Sequence, residues 1–75
     1  LETQFEIVRT TAPELAGQTL RGAAIRDRTG ATVVAIERDG ELLTNPEPDL
    51  RMKDGDRFII TGSNSVINNF TETFR

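Results

Sequence analysis

Four carboxylates crowded into one stretch of ten residues are the first candidates for chemistry: Glu47, Asp49, Asp54 and Asp56. Their oxygens are the ligands that a hard cation such as Ca²⁺ prefers. Their spacing lacks the alternating ligands and the terminal bidentate Glu of an EF-hand loop, and solvated turns explain the same residues more simply. We therefore predict no metal site.

A basic cluster earlier in the chain offers a second kind of chemistry. Arg21, Arg26 and Arg28 stand close together and could contact an anion or a partner. Because Asp27 lies among them, a charged outer face is the simpler interpretation. The sequence leaves both interpretations open and favours the second.

The missing residue types exclude most catalytic sites. The chain has no His and no Cys, so it cannot form a disulfide, a thiolate or imidazole metal site, a Cys nucleophile or a Ser-His-Asp triad. No carboxylate stands in a recognisably apolar environment that would raise its pKa for acid–base work. We predict a protein that is not an enzyme and requires no cofactor.

Charge and length restrict the partners and the location. Twelve acidic against nine basic residues give a formal net charge of −3, which disfavours binding to DNA or RNA. No apolar run approaches the roughly 18 residues of a spanning helix, and no signal peptide is recognisable, so we expect a soluble, cytosolic domain without membrane insertion. A core drawn from 75 residues leaves little margin of stability, so a homodimer is expected. Because the sequence starts without Met and at a strand pattern, residues 1–75 are interpreted as a single domain cut from a longer protein.

The residue pattern in the first half of the chain predicts a strand, a helix and a second strand. Residues 4–9 alternate in polarity, with Phe5 and Ile7 on the apolar face of a first strand. Thr19 is a good N-cap for a short helix that runs to about Asp27. The β-branched run at residues 32–36 is typical of a central strand buried on both faces.

The second half predicts a hairpin, a last strand and an amphipathic helix. Asp39-Gly40 fits a tight hairpin turn, so residues 42–44 form the returning strand. Residues 57–61 form the last strand, and from Ser63 or Asn64 onward apolar residues recur at helical spacing. The fold class is a small α/β (α+β) unit: a sheet of about four to five strands, a helix after the first strand, a β-hairpin and a C-terminal amphipathic helix.

Four segments, in this order, resemble the TrkA-C domain, also called the RCK C-terminal domain. They are LAGQTL at 15–20, RTGATVVAIER at 28–38, NPEPD at 45–49 and GDRFIITG at 55–62. Each segment alone is a weak signal of the family. The four segments at these spacings are specific, and they cover nearly the whole chain. The resemblance implies a dimeric, ligand-sensing regulatory unit of prokaryotic potassium channels, potassium uptake systems and monovalent cation/proton antiporters. No G-x-G-x-x-G motif between strand and helix is present, so NAD or ATP binding is not predicted.

The resemblance also implies a ligand. In some members of this family, cyclic di-AMP is held in the cleft between two C-terminal domains, and the matching positions here are Ile36, Arg38, Asn45 and Pro46. Arg38 would donate hydrogen bonds to a phosphate, and Asn45 would pair with an adenine edge. Ile36 and Pro46 would contact the base, and a two-fold symmetric ligand suits a two-fold symmetric cleft.

Each of these roles has a structural alternative that the sequence leaves open. Arg38 stands between Glu37 and Asp39, where a solvated ion pair is the simple interpretation. Asn45 could cap a turn whose shape Pro46 fixes. The leading hypothesis is a regulatory domain on the cytoplasmic face of the membrane, attached to the channel or antiporter portion of its parent. The alternative is a purely structural dimerisation module without a small-molecule ligand.

Overall fold

An antiparallel sheet of four strands forms one layer of the molecule. The computed structural model describes residues 4–75. The strands are β1 (Glu6–Thr11), β2 (Thr32–Arg38), β3 (Glu41–Thr44) and β4 (Arg57–Gly62). Their order in the sheet is β1-β4-β2-β3, so the last strand in sequence lies between the first two. The number of strands agrees with the sequence prediction.

Three helices and a short turn of 3₁₀ helix form the second layer. They are the 3₁₀ turn Pro13–Leu15, α1 (Leu20–Ala23), α2 (Ile25–Thr29) and α3 (Asn64–Thr73). The core lies between the layers, and its largest fully buried side chains are Phe58, Phe70, Phe74, Leu15, Ile36, Met52 and Ile60. The small α+β fold expected from the sequence is confirmed. No helix in the described part of the chain is long and apolar enough to cross a membrane.

Local sequence signals determine the hairpin and the ends of two helices. Asp39 and Gly40 both have positive φ (52° and 79°), as a tight primed turn requires between β2 and β3. The Thr19 hydroxyl accepts a hydrogen bond from the amide of Gly22 (2.9 Å), and the Ser63 hydroxyl caps α3. The predicted turn and the predicted cap at Thr19 are confirmed, and the last helix begins where the change of period predicted it.

The helix predicted from Thr19 to about Asp27 is in fact two helices that meet at Ala24. Ala24 has φ 50° and ψ 46°, a left-handed conformation that ends α1 and begins α2. A non-glycine residue rarely adopts it. The chain therefore changes direction between Arg21 and Arg26.

The sheet buries one face only, and this corrects two predictions. Along β4, Phe58 and Ile60 are buried against the helices, whereas Arg57 is exposed on the other face. Phe5 and Ile7, predicted as inward-facing, are 83% and 74% exposed. The central strand β2 is likewise not covered on both sides, since Val34 is exposed beside an irregularity in its pairing with β4.

Candidate ligand-binding site

A cavity of about 340 Å³ opens between the helix pair, the start of β2 and the chain that follows β3. Its lining residues are Leu20, Arg21, Arg26, Ala31, Thr32, Val33, Pro46 and Pro48. The cavity thus combines aliphatic and proline residues with two arginines. Sites for small molecules are concave, mostly apolar and equipped with a few polar groups, and their volumes start at about 300 Å³.

The break at Ala24 brings the two arginines to one cavity. On a continuous α-helix, residues five apart point about 140° away from each other. Arg21 belongs to α1 and Arg26 to α2, and the left-handed residue between them lets both line the same space. These two arginines belong to the basic cluster of the sequence, for which a charged outer face was the favoured interpretation.

The third member of that cluster, Arg28, has a different environment. Its guanidinium carbon lies 4.8 Å from the centroid of the Phe74 ring, and its Nη1 donates to the carbonyl of Ala23. Arg28 therefore covers the end of α3. It does not line the cavity.

One wall of the cavity is held by a main-chain ladder, which we define as the pairing of residues 17–21 with residues 48–52. Its hydrogen bonds run from the amide of Arg21 to the carbonyl of Pro48 (2.8 Å), from Leu20 to Leu50 (3.1 Å), from Gly17 to Met52 (2.8 Å) and from Met52 to Gln18 (2.8 Å). Three residues of this ladder line the cavity: Leu20 and Arg21 on one segment and Pro48 on the other. The shape of this wall therefore depends on the ladder.

A buried ion pair fastens the ladder to the sheet. Arg38 donates from Nε and Nη2 to the two carboxylate oxygens of Asp56, at 2.8 and 2.7 Å. Its Nη2 also donates to the carbonyl oxygen of Arg51, a ladder residue, at 3.0 Å. The side chain of Asp56 is 1% exposed and that of Arg38 is 17% exposed. This is a fork-to-fork contact that is largely removed from water.

The sheet register explains why these two residues meet. Glu37 on β2 lies opposite Arg57 on β4 in an antiparallel pair, so the next position places Arg38 opposite Asp56. Asp56 also accepts a hydrogen bond from the amide of Lys53 (2.8 Å), which closes the turn before β4. The hydrogen bond from Arg38 is the main cause that lowers the pKa of Asp56 and raises the pKa of Arg38, while burial opposes both shifts.

The four residues predicted for the ligand occupy four different environments. Pro46 lines the cavity. Asn45, next to it, is exposed with φ 48°, and its amide donates to the carbonyl of Val34 (3.1 Å). Ile36 lies fully inside the core. Arg38 is at the far end of β2 from the cavity, paired with Asp56 rather than with its sequence neighbours. The contacts of Ile36, Arg38 and Asn45 with a ligand were expected from the family resemblance alone, and none of these three residues lines the cavity.

Two further polar features lie outside the first cavity: the acidic stretch from Glu47 to Asp56 and a second cavity. Asp56 is committed to Arg38, and no group of three or more metal-ligating side chains comes together among residues 4–75. A cavity of about 330 Å³ on the uncovered face of the sheet is lined by Arg9, Thr10, Thr11 and Arg57. Arg9 there contacts Glu37 at 3.2 Å in a largely exposed pair.

Comparison with known proteins decides the family. The model of the TrkA-C domain matches residues 5–75, which is nearly the whole chain. The chain belongs to the TrkA-C family. TrkA-C domains are regulatory units associated with potassium channels and transporters and are not enzymes.

Three relatives illustrate what this TrkA-C domain is similar to. A probable potassium channel protein of Methanocaldococcus jannaschii is 46% identical over 43 residues, which is 57% of this chain and 12% of the channel. The RCK C domain of the potassium transport protein KtrA, solved with cyclic di-AMP, has a TM-score of 0.86 and 28% identity over 93% of this chain and 84% of its own. The RCK C domain dimer of Streptococcus agalactiae BusR, also solved with cyclic di-AMP, has a TM-score of 0.76 and 28% identity over 99% of this chain and 96% of its own. The TrkA-C domain thus spans about an eighth of the channel relative and nearly all of the BusR domain.

Proposed function

We propose that this TrkA-C domain senses cyclic di-AMP for a potassium channel, potassium transporter or monovalent cation/proton antiporter. Two copies of the chain pair, and the ligand binds between them in the cavities that hold Arg21 and Arg26. The domain acts at the cytoplasmic face of the membrane as part of, or in association with, the transporter. The observation that carries the proposal is this cavity with its two arginines, in a fold whose relatives were solved with cyclic di-AMP.

The chemistry of the cavity suits half of a cyclic dinucleotide. Guanidinium groups match phosphate oxygens with paired hydrogen bonds, and the aliphatic and proline surface suits the face of a purine. A volume of about 340 Å³ lies at the small end of ligand sites, so one chain offers room for part of such a ligand. A two-fold dimer would present the same groups to both halves.

Ligand binding would regulate the transporter by population shift. A ligand bound across two domains favours the relative arrangement in which both sets of arginines reach it. The ligand can shift the gating equilibrium of the transporter only by the difference between its affinities for the two domain arrangements. The domain therefore supplies a coupling free energy and no chemical step.

Replacement of the cavity arginines tests the proposal. Arg26→Gln and Arg21→Gln remove charge-assisted hydrogen bonds to phosphate, so each lowers the affinity for cyclic di-AMP by about tenfold to a hundredfold, as measured by titration calorimetry. Arg75→Gln, which makes the same charge change at an exposed site, is the matched control and leaves affinity unchanged.

The outcomes separate the two candidate functions. Binding by the wild type with equal losses in the Arg75 control would mean that only net charge matters and that the cavity is the wrong place. Absence of any binding by a wild type that nevertheless dimerises would support the structural dimerisation module instead.

A further inference from the structure

We propose that Arg38 and Asp56 are a positioning pair that sets the shape of the ligand cavity without touching the ligand. The pair acts through the main-chain ladder of residues 17–21 and 48–52. The effect of the Arg38–Asp56 pair on ligand affinity rests on the function proposed above. Its effect on the shape of the cavity wall is independent of that function.

The path from the pair to the cavity consists of hydrogen bonds and of the main chain between Arg51 and Pro48. Nη2 of Arg38 donates to the carbonyl of Arg51 at 3.0 Å. The Arg51 side chain in turn donates to the carbonyl of Gly17, across the ladder. Three residues before Arg51, the carbonyl of Pro48 accepts the amide of Arg21, and both of these residues line the cavity. The fork of Arg38 thus anchors the segment that carries one cavity wall.

The ladder depends on such an anchor because one of its two segments, residues 48–52, has little regular structure of its own. Residues 45–52 contain no helix and no strand beyond a single bridge between Thr19 and Arg51. Met52 is buried and fixes one end of the 48–52 segment in the core. Arg38 fixes the neighbouring residue from the sheet side. Loss of that contact would free the segment toward Pro48, on the cavity side.

The planar guanidinium is essential to this arrangement. Nε and Nη2 reach the two oxygens of Asp56 while Nη2 also reaches the Arg51 carbonyl. A Lys ammonium is a single charged point and can satisfy Asp56 but does not reproduce the rigid fork. Arg38→Lys therefore retains the ion pair with Asp56 and loses the anchoring hydrogen bond to the Arg51 carbonyl.

Hydrogen exchange on the ligand-free protein tests the anchor directly. In Arg38→Lys, the amides of Leu20 and Arg21 exchange about tenfold faster, because the carbonyls that accept them lie on the released segment. The β4 amides exchange at the wild-type rate, so the change is local. Arg9→Lys, on an exposed ion pair away from the ladder, is the matched control. Unchanged exchange at Leu20 and Arg21 would overturn the inference.

Ligand affinity supplies the second readout. Arg38→Lys lowers the affinity for cyclic di-AMP by about tenfold, the equivalent of one hydrogen bond to a charged group. The dependence of affinity on salt keeps its wild-type slope in the double variant Arg38→Met, Asp56→Asn, because no contact to phosphate is removed. Arg26→Gln reduces that slope. A reduced slope in the double variant would show that Arg38 itself contacts phosphate and would overturn the positioning role. If the wild type does not bind cyclic di-AMP, the proposed function fails, and hydrogen exchange alone judges the anchor.

Discussion

Replacement of Asp56 by Asn should strongly destabilise the domain. The substitution keeps the size of the side chain but removes the partner of Arg38, which then faces a neutral amide inside the fold. Loss of one member of a buried pair costs about 3–5 kcal/mol, and we take about 2–3 kcal/mol because 17% of the Arg38 side chain still reaches water.

That cost is a large share of the total stability. At about 0.05–0.15 kcal/mol per residue, a chain of 75 residues has a free energy of unfolding of roughly 4–11 kcal/mol. Each kcal/mol shifts the thermal midpoint by about 4–8 °C in a domain of this size, so Asp56→Asn lowers the midpoint by about 10–20 °C.

Thermal unfolding followed by circular dichroism measures the effect. Wild type and variant are compared at one protein concentration, because pairing of two chains would make the midpoint depend on concentration. Glu37→Gln, which removes the acceptor of the exposed Arg9 pair, is the control and costs less than about 1 kcal/mol. A midpoint for Asp56→Asn within about 3 °C of the control would refute the view that the buried pair stabilises the fold.

Three further outcomes follow from the structure. The Arg38 hydrogen bond is the main cause that lowers the pKa of Asp56 from its ordinary value of 3.8. The ionised Asp56 therefore stabilises the fold fully above pH 3.8, and this stabilisation is lost as the pH falls through the lowered pKa. The difference in thermal midpoint between wild type and Asp56→Asn is constant near neutral pH and shrinks in acid, and a constant difference down to about pH 2 would contradict this. A methyl group on Gly62 would overlap the Val66 side chain, so Gly62→Ala costs about 1–3 kcal/mol in urea unfolding, and adding Val66→Ala recovers part of it; no recovery would mean that the overlap is not the cause. Phe5→Ser changes stability by no more than about 0.5 kcal/mol, since Phe5 is 83% exposed, and a larger loss would show that a second chain covers it.

Features that depend on neighbouring residues were predictable from the sequence. The cap at Thr19, the primed turn at Asp39 and Gly40 and the amphipathic pattern of α3 each rest on signals within a few positions. Their physical causes act locally, so no knowledge of the tertiary fold is needed.

Features that depend on the sheet register or on a single backbone angle were not predictable. Arg38 has acidic neighbours in sequence, yet its partner is Asp56, 18 residues away, because the pairing of β2 with β4 places them opposite each other. Ala24 carries no sequence signal for a left-handed conformation, although that conformation directs Arg21 and Arg26 to one cavity.

The burial of apolar strands was overestimated for a related reason. The outward orientation of Phe5 follows from which face of the sheet the helices cover, and period-2 alternation does not reveal that choice.

Titration of cyclic di-AMP into the wild-type protein, with the mass of the complex followed by light scattering, tests whether the domain binds this ligand between two chains. We expect saturable binding with one ligand for every two chains, a complex of two chains, and an affinity that falls as salt increases. The absence of both binding heat and thermal stabilisation at high ligand concentration would contradict the proposed function. A stoichiometry of one ligand per single chain would also contradict it.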